Sequence, residues 1–289
     1  MVILQNEYLK AQFSTKGAEL QSLNGLITHQ EYIWSGDPAY WGKFSPVLFP
    51  IVGGLKDHTY YTDGRKYNLP RHGFARDREF TADQISDTEV SFSLTHDEET
   101  LKVYPFEFAL VLHYRLTENS ISCSYRVNNP GEKTLLFSIG GHPAFAAAVN
   151  EEIAYTDYFI EFNKDTELVY HKIGNDLITD ETATIDLRPN STLPLSYALF
   201  YEDALVIKTL RSDRISLRNL KNDHGFHFDF SGFPFFGIWA AKNANFVCLE
   251  PWCGIADSTG HNQNLVEKEG IIALDENKSW ERTWSVTCF

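Results

Sequence analysis

The chain has 289 residues, of which 43% are hydrophobic and 14% are aromatic, and its formal net charge is −14. This composition supports a large packed core and excludes the low hydropathy of a disordered chain. The excess of 39 acidic over 25 basic residues repels phosphate backbones and anionic lipid, so we expect no nucleic-acid partner and no membrane partner.

The amino terminus, MVILQNEYLKAQFSTKG, has no basic region followed by an apolar run and a cleavage site. The longest apolar run, Phe233 to Ala241, is interrupted by a proline and a glycine, so we expect no membrane span. Four cysteines are sparse for this length and form no CxxC pair, which disfavours a disulfide framework and a zinc knuckle. These features predict a cytoplasmic protein with reduced thiols.

Apolar and polar residues alternate with period two over much of the chain, which predicts β-strands. The alternation is clearest in LKAQF from Leu9, EVSFSLT from Glu89, ISCSYRV from Ile121 and RISLRNL from Arg214. Turn-forming residues separate the strands at Thr62-Asp63-Gly64, Ser86-Asp87, Glu118-Asn119-Ser120 and Asn129-Pro130-Gly131. We therefore expect hairpins and meanders.

Helical periodicity is scarce along the chain. The segment DEETLKVYP predicts one helix of about two turns, which Pro105 ends. The stretch FEFALVLHYRLTENSISCSYRVNNP predicts two long antiparallel strands joined by a short polar turn. Since no helix separates successive strands, a parallel sheet is disfavoured. We predict an all-β fold, a large antiparallel β-sandwich that forms a single domain over residues 1–289.

Three segments carry a titratable side chain in an unusual setting. His72 lies in NLPRHGFARDREF, next to a glycine and near three arginines. His142 lies in GGHPAF, between a glycine and a proline. Glu250 ends the apolar run FVCLE and precedes a proline and Trp252. Taken alone, each histidine is also compatible with a structural role, and the glutamate with an ordinary carboxylate at a strand end. A functional prediction therefore depends on the three residues together.

These settings favour acid–base chemistry. A glycine removes a side chain that would block a ligand, and a proline fixes the backbone that carries the ring. A carboxylate that leaves a hydrophobic strand beside Trp252 is partly desolvated, which raises its pKa towards that of a useful base. His72, His142 and Glu250 are therefore predicted to share one cleft.

The segments LFPIVGGLKD, HGFARD, GGHPAF, DALVI and FVCLEPW occur in this order. Together they resemble the LacX-like branch of the aldose 1-epimerase (galactose mutarotase-like) family over essentially the whole chain. The resemblance implies the galactose mutarotase-like supersandwich fold with an open sugar cleft. It also implies interconversion of the α and β anomers of an aldohexose by general acid/base ring opening, which demands no cofactor and no metal.

The resemblance assigns a role to each matching residue. His142 would be the general acid that protonates the ring oxygen, and Glu250 the general base that removes the proton of the anomeric hydroxyl. His72 would contact the ring or anomeric oxygen and orient the sugar. Asp203, in FYEDALVI, would accept hydrogen bonds from sugar hydroxyls.

Further substrate contacts are expected from Arg76 of the HGFAR segment, from Phe145 and from Trp252, with a salt bridge and packing as the structural alternatives. The chain departs from the family pattern at Gly54, because it reads VGGL where relatives commonly read VGRL. Either Lys56 or Arg76 would reach the space of the missing arginine, or that sugar contact is lost.

The same sequence features are also compatible with other functions. A cluster of cations in an acidic chain suits a hexose-6-phosphate mutarotase or an ordinary charged surface; it consists of Lys56, Arg71, Arg76 and Arg78. The glycine at position 54 suits a carbohydrate-binding protein that has lost the chemistry. A metallohydrolase is disfavoured because the chain has no H-x-H strand pair. The expected partner is a small-molecule sugar, and the protein itself is expected to be a monomer or homodimer.

Overall fold

The computed structural model describes residues 1–147 and 152–289, and within them strands dominate. The one α-helix of the described residues is α1 (Glu98–Val103). The strands are β1 (Val2–Gln5), β2 (Leu9–Ser14), β3 (Glu19–Gly25), β4 (Val47–Leu48), β5 (Thr59–Thr62), β6 (Arg65–Asn68), β7 (Thr81–Ser86), β8 (Glu89–Thr95), β9 (Ala109–Thr117), β10 (Ser120–Asn128), β11 (Leu135–Phe137), β12 (Ile139–Gly141), β13 (Ala144–Ala146), β14 (Tyr158–Phe162), β15 (Glu167–Gly174), β16 (Leu177–Asp186), β17 (Thr192–Pro194), β18 (Leu205–Ile207), β19 (Arg214–Asn219), β20 (Phe226–Asp229), β21 (Phe235–Trp239), β22 (Phe246–Cys253), β23 (Ile272–Leu274) and β24 (Ser279–Cys288). This content confirms the all-β prediction.

Two large antiparallel sheets form the body of the protein. One has nine strands in the order β17-β14-β19-β20-β24-β10-β9-β8-β7, and the other has eight, in the order β16-β15-β18-β21-β22-β12-β4 with β13 on β22. Aromatic rings from the two sheets meet: Phe145 on β13 lies 4.3 Å, centroid to centroid, from Phe226 on β20. The sheets therefore pack face to face, as a sandwich requires.

The local predictions from the sequence are confirmed. EVSFSLT forms β8, and the long hairpin forms as β9 and β10, paired in register from Thr117 and Ser120. Helix α1 begins after Asp97, whose carboxylate accepts a hydrogen bond from the Thr100 N–H at 2.6 Å, and ends before Pro105. Such an N-terminal cap satisfies a backbone donor that the helix leaves free.

Strand β22 positions the chemistry-bearing face. It lies between β21 and β12, so both its edges are paired. Because side chains alternate along a strand, Cys248, Glu250 and Trp252 share one face. The indole of Trp252 covers two glycines on the neighbouring strands, where a Cβ would lie 2.5 Å from the indole at Gly140 and 2.6 Å at Gly237. These glycines leave the room that Trp252 occupies.

Two further expectations concern the cysteines and the membrane. All four cysteines are buried and unpaired, as predicted for core thiols. In residues 1–147 and 152–289 no helix has the length and hydropathy to cross a membrane.

Candidate active site

A cavity of about 430 Å³ opens at the end of β22. Six of the seven site residues predicted from the sequence lie on its wall. They are His72, Arg76, His142, Asp203, Glu250 and Trp252. The fold thus brings the two candidate proton-transfer groups, which lie far apart in the chain, into one cavity.

The imidazole of His142 contacts the carboxylate of Glu250 at the cavity wall. Nε2 of His142 lies 3.2 Å from Oε2 of Glu250, and the two side chains are 9% and 2% exposed. Oε2 of Glu250 accepts no hydrogen bond from the described residues, and Nδ1 of His142 also has no partner among them. The His142 ring is held by stacking on Trp41 at 5.0 Å between centroids and by an edge contact with Trp239 at 5.7 Å.

Burial shifts both groups towards their neutral forms. It lowers the pKa of His142 to about 3, and the charges of Arg71 and Arg76 add to the lowering. It raises the pKa of the Glu250 carboxyl well above its usual range, while the Arg71 guanidinium opposes the rise. Burial is the largest cause in both cases, because it disfavours the charged form of each group, the imidazolium of His142 and the carboxylate of Glu250.

His72 faces the same cavity as a neutral ring. Its backbone has a φ of 68°, in the left-handed region, and its ring lies edge-on to His142 at 5.7 Å between centroids. The backbone N–H of Gly53 donates a hydrogen bond to Nδ1 at 3.1 Å. Burial, with the charges of His142, Arg71 and Arg76, lowers the pKa of His72 well below its usual range. His72 can therefore orient an oxygen atom but cannot carry a positive charge at neutral pH.

The glycines beside the two histidines have a different purpose from the one expected. A Cβ at Gly73 would lie 2.3 Å from the carbonyl oxygen of Phe49, and one at Gly141 would lie 2.6 Å from the hydroxyl of Tyr125. Gly73 also has a φ of 70°, which favours glycine. These glycines allow close packing of the protein on itself, so the expectation that they clear a path for the ligand is corrected.

Arg76 and Asp203 line the cavity and also form hydrogen bonds with nearby backbone groups. Nη2 of Arg76 donates to the carbonyl oxygen of Arg71 at 2.9 Å, whereas its buried Nε has no hydrogen-bond partner among the described residues. Oδ1 of Asp203 accepts the backbone N–H of Ala204 at 2.7 Å. Each keeps polar atoms that a hydroxylated ligand can use.

Phe145 is the predicted site residue that the structure places elsewhere. Its side chain is 1% exposed and packs on Phe226 and Phe228. In the register of β13 and β22 it pairs with Val247, which points away from the face of Glu250 because side chains alternate along a strand. The structure corrects this assignment: Phe145 belongs to the core between the sheets.

The space over Gly54 is filled by a turn from another part of the chain. A Cβ at Gly54 would lie 2.7 Å from the carbonyl oxygen of Asp176, so no larger side chain fits. Of the two substitutes considered from the sequence, Lys56 bonds the carbonyl oxygen of His261 at 3.3 Å and is not on the cavity wall, whereas Arg76 is. The cavity also contains the guanidinium of Arg71, which is held by Asp176 at 2.7 Å.

Sequence reasoning missed part of the wall. Trp41, Arg71 and Lys242 line the cavity but were not among the predicted site residues. Arg71 carried a usable signal, because it immediately precedes the HGFAR segment that begins at His72. Trp41 and Lys242 lie outside every motif and reach the site through tertiary packing alone.

One group of residues in the described part of the chain has metal-binding geometry. Donor atoms of His142, Cys248 and Glu250 all lie within 4.8 Å of one another. Imidazole, thiolate and carboxylate are ligands that Zn²⁺ accepts. The expectation that the reaction needs no metal stays a prediction.

Comparison with known sequences agrees with this arrangement. A sequence model described as aldose 1-epimerase matches residues 1–281. Protein LacX, chromosomal, of Lactococcus lactis subsp. lactis is 35% identical over 290 residues, which cover 95% of this chain and 96% of that protein. A protein of Escherichia coli K12 named putative glucose-6-phosphate 1-epimerase is 25% identical over 150 residues, 46% of this chain and 44% of that protein.

Solved structures show the same architecture. A galactose mutarotase related enzyme from Lactobacillus acidophilus superposes with a TM-score of 0.94 at 33% identity, covering 100% of this chain and 97% of that one. A galactose mutarotase-like protein from Lactobacillus casei gives a TM-score of 0.92 at 29% identity over 100% of both chains. The fold is therefore the galactose mutarotase-like sandwich predicted from the sequence. By fold, motifs and whole-length similarity, the chain belongs to the aldose 1-epimerase family, in its LacX-like branch.

Proposed function

We propose that this protein is an aldose 1-epimerase that interconverts the α and β anomers of an aldohexose. The observation that carries the proposal is the 3.2 Å contact between Nε2 of His142 and Oε2 of Glu250 on the wall of a cavity of about 430 Å³. That volume is typical of a small-molecule site. Membership in the aldose 1-epimerase family supports the reaction class.

The reaction needs one proton donor and one proton acceptor. The Glu250 carboxylate accepts the proton of the anomeric hydroxyl while His142 donates a proton to the ring oxygen. The bond between the anomeric carbon and the ring oxygen breaks, and an aldehyde forms. Rotation about the adjacent carbon–carbon bond presents the other face of the aldehyde. Reclosure returns both protons in the opposite direction and gives the other anomer.

The pKa directions of the pair suit this cycle. The pair holds one proton throughout. The pKa directions favour it on Glu250 in the free protein; it moves to His142 across the 3.2 Å contact when the sugar is bound and returns to Glu250 as the ring opens. Free side chains in water prefer imidazolium and carboxylate, because histidine is the weaker acid. Burial raises the pKa of Glu250 and lowers the pKa of His142, which reverses this preference. The proton can therefore reside on Glu250 once the ring has opened, and transfer in both directions stays possible.

Exchange NMR or polarimetry on a panel of freshly dissolved aldoses tests the proposal. We expect the protein to accelerate anomer exchange of at least one aldohexose. Glu250→Gln and His142→Asn should each lower the rate by about 10² to 10⁴-fold with retained folding, since each removes a proton-transfer group. His113→Asn is a matched control, because His113 pairs with Glu89 at 2.7 Å outside the cavity. Unchanged rates in both active-site variants would reject the assignment.

A hexose-6-phosphate is the second candidate substrate. Arg71, Arg76 and Lys242 supply three cations to the cavity wall of a chain whose net charge is −14. The described residues place no carboxylate within ion-pair distance of Lys242, whose ammonium lies 5.2 Å from the Tyr201 ring. Charged donors of this kind bind phosphate strongly. Turnover of free and 6-phosphorylated hexoses should be compared in the wild type and in Lys242→Met; a loss confined to the phosphorylated sugar favours this candidate.

A sugar-binding protein without catalysis is the remaining alternative. It predicts sugar binding in calorimetry together with anomer exchange no faster than in buffer. The contact between His142 and Glu250 argues against it, since binding alone needs no acid–base pair. A cytoplasmic location, a monomeric or homodimeric state and a single domain over residues 1–289 stay predictions.

A further inference from the structure

The hydrogen bonds of His72 determine which ring nitrogen carries the proton. The backbone N–H of Gly53 can only donate, and it meets Nδ1 at 3.1 Å. Nδ1 must therefore present its lone pair. Because the buried ring is neutral at neutral pH, its proton lies on Nε2.

That proton faces a second donor. Nε of Arg71 directs its N–H at Nε2 of His72 over 3.2 Å. A neutral imidazole has one lone pair for these two donors, and the N–H of Gly53 keeps it because it is fixed in the backbone, whereas the arginine side chain can turn. Two N–H groups thus converge without an acceptor between them. Both residues line the cavity, so an oxygen atom of a ligand could accept a hydrogen bond from each.

A turn from a distant part of the chain holds Arg71 in this place. Nη1 of Arg71 donates to Oδ1 of Asp176 at 2.7 Å, in the turn between β15 and β16. Asn175 and Asp176 have φ values of 51° and 65°, and the turn packs directly on Gly54. The absence of a side chain at position 54 thus allows the approach of the carboxylate that orients Arg71.

We propose that Arg71 is a second substrate-binding donor that shares one oxygen of the sugar with His72, and that Asp176 is its positioning residue. The inference rests on the proposed function. The rings of His72 and His142 are 5.7 Å apart, so the shared oxygen lies at or next to the anomeric carbon. Donors at this point stabilise the negative charge that develops when a hydroxyl proton leaves.

Steady-state kinetics by exchange NMR tests the inference. Arg71→Met should lower kcat/KM by about 10- to 100-fold, because it removes a charged donor from the substrate. Asp176→Asn should lower kcat/KM by about 3- to 10-fold, because the donor stays but loses its orientation. The double variant should be no worse than Arg71→Met alone, since Asp176 acts through Arg71.

Two readouts separate this role from a merely structural one. Methylguanidine should partly restore the activity of Arg71→Ala, because it replaces the missing donor. Asp186→Asn is the matched control: Asp186 ends β16 of the same hairpin and pairs with Arg188 at 2.9 Å, so it should keep the wild-type kcat/KM. If Arg71→Met does not fold, Arg71→Lys replaces it, since lysine keeps the charge without an Nε donor.

The outcomes distinguish the inference from the proposed function. If the wild type exchanges anomers but Arg71→Met keeps its kcat/KM, or if the two substitutions are additive, the inference is overturned. If the wild type exchanges no anomers, the proposed function fails. The inference about Arg71 is then tested by the affinity for sugar, measured by calorimetry. Weaker binding by Arg71→Met then supports the shared donor, and unchanged binding overturns it.

Discussion

Two buried carboxylates seven positions apart in the chain have opposite surroundings. Glu250 and Asp257 are each 1% exposed. Oδ1 of Asp257 accepts from Nζ of Lys268 at 2.9 Å, and Oδ2 accepts from the backbone N–H of Lys56 at 3.0 Å. Oε2 of Glu250 accepts no hydrogen bond from the described residues. The first carboxylate is satisfied by the protein, and the second has acceptor capacity that the protein leaves unused.

Their surroundings show which of the two buried carboxylates is structural. A buried ion pair with its remaining lone pairs satisfied fixes the chain around it, and removing one partner leaves a costly unpaired charge. Lys268 also donates to the carbonyl oxygen of Ile255 at 2.6 Å, so this pair ties the segment after β22 to the loop at Lys56. A buried carboxyl with a raised pKa and an oxygen that accepts no hydrogen bond, as Oε2 of Glu250 among the described residues, is typical of a functional site.

Substitution of Glu250 should separate the two carboxylates by their contribution to activity. Glu250→Gln should reduce the rate of anomer exchange by about 10² to 10⁴-fold, because the proton acceptor is lost. Its melting temperature at pH 7 should equal or exceed that of the wild type, since a neutral amide removes a group whose charged form is disfavoured by burial. Exchange NMR and thermal denaturation measure the two quantities. A variant that melts well below the wild type would show that Glu250 is structural after all.

The second prediction reverses this pattern at Asp257. Lys268→Met should lower the free energy of unfolding by about 3 to 5 kcal/mol, because it leaves Asp257 buried without its cation. Urea denaturation measures the loss, and the fraction that remains folded should keep the wild-type exchange rate. Lys208→Met is the matched control, since Lys208 pairs with Glu269 at the surface and surface pairs contribute only about 0–1 kcal/mol. Equal losses in the two variants would contradict the structural role.

The sequence predicted the strands and most of the site because both depend on local signals. Alternation identified β8 and β10, and the motif residues His142 and Glu250 do meet. Phe145 was misplaced because its direction depends on its pairing with Val247 across a proline that interrupts the alternation. Pairing register is a tertiary property that the motif itself does not contain.

The contents of the cavity were harder to predict for the same reason. Arg71 was interpreted as part of a charged cluster, because nothing near it indicates that Asp176 packs on it from another strand pair. Trp41 stacks on His142 at 5.0 Å from an irregular segment between β3 and β4. The hydrogen bonds of Asp257 could not be predicted either, since Lys56 approaches it from a distant part of the chain and no local pattern indicates that Lys268 pairs with it.

A weaker effect, on the pH dependence of stability, is expected from the imidazole beside Glu250. The pKa of His142 is lowered to about 3 by burial, whereas an unfolded chain titrates near the ordinary value of about 6.5. Between these values the unfolded state binds one more proton than the folded state. The stability due to neutral His142 is therefore fully present above about pH 6.5 and is lost as the pH falls through this window, by up to about 1.4 kcal/mol per pH unit.

His142→Gln removes this proton linkage while keeping a polar side chain of similar reach. Urea denaturation at a series of pH values between 7 and 4 should show a shallower loss of unfolding free energy in the variant than in the wild type. The His72 ring, whose pKa is also lowered, keeps part of the slope in both proteins. Parallel curves would mean that His142 is already charged in the folded state. The Glu250 carboxylate would then have its counterion at rest, and the contrast with the satisfied Asp257 would disappear.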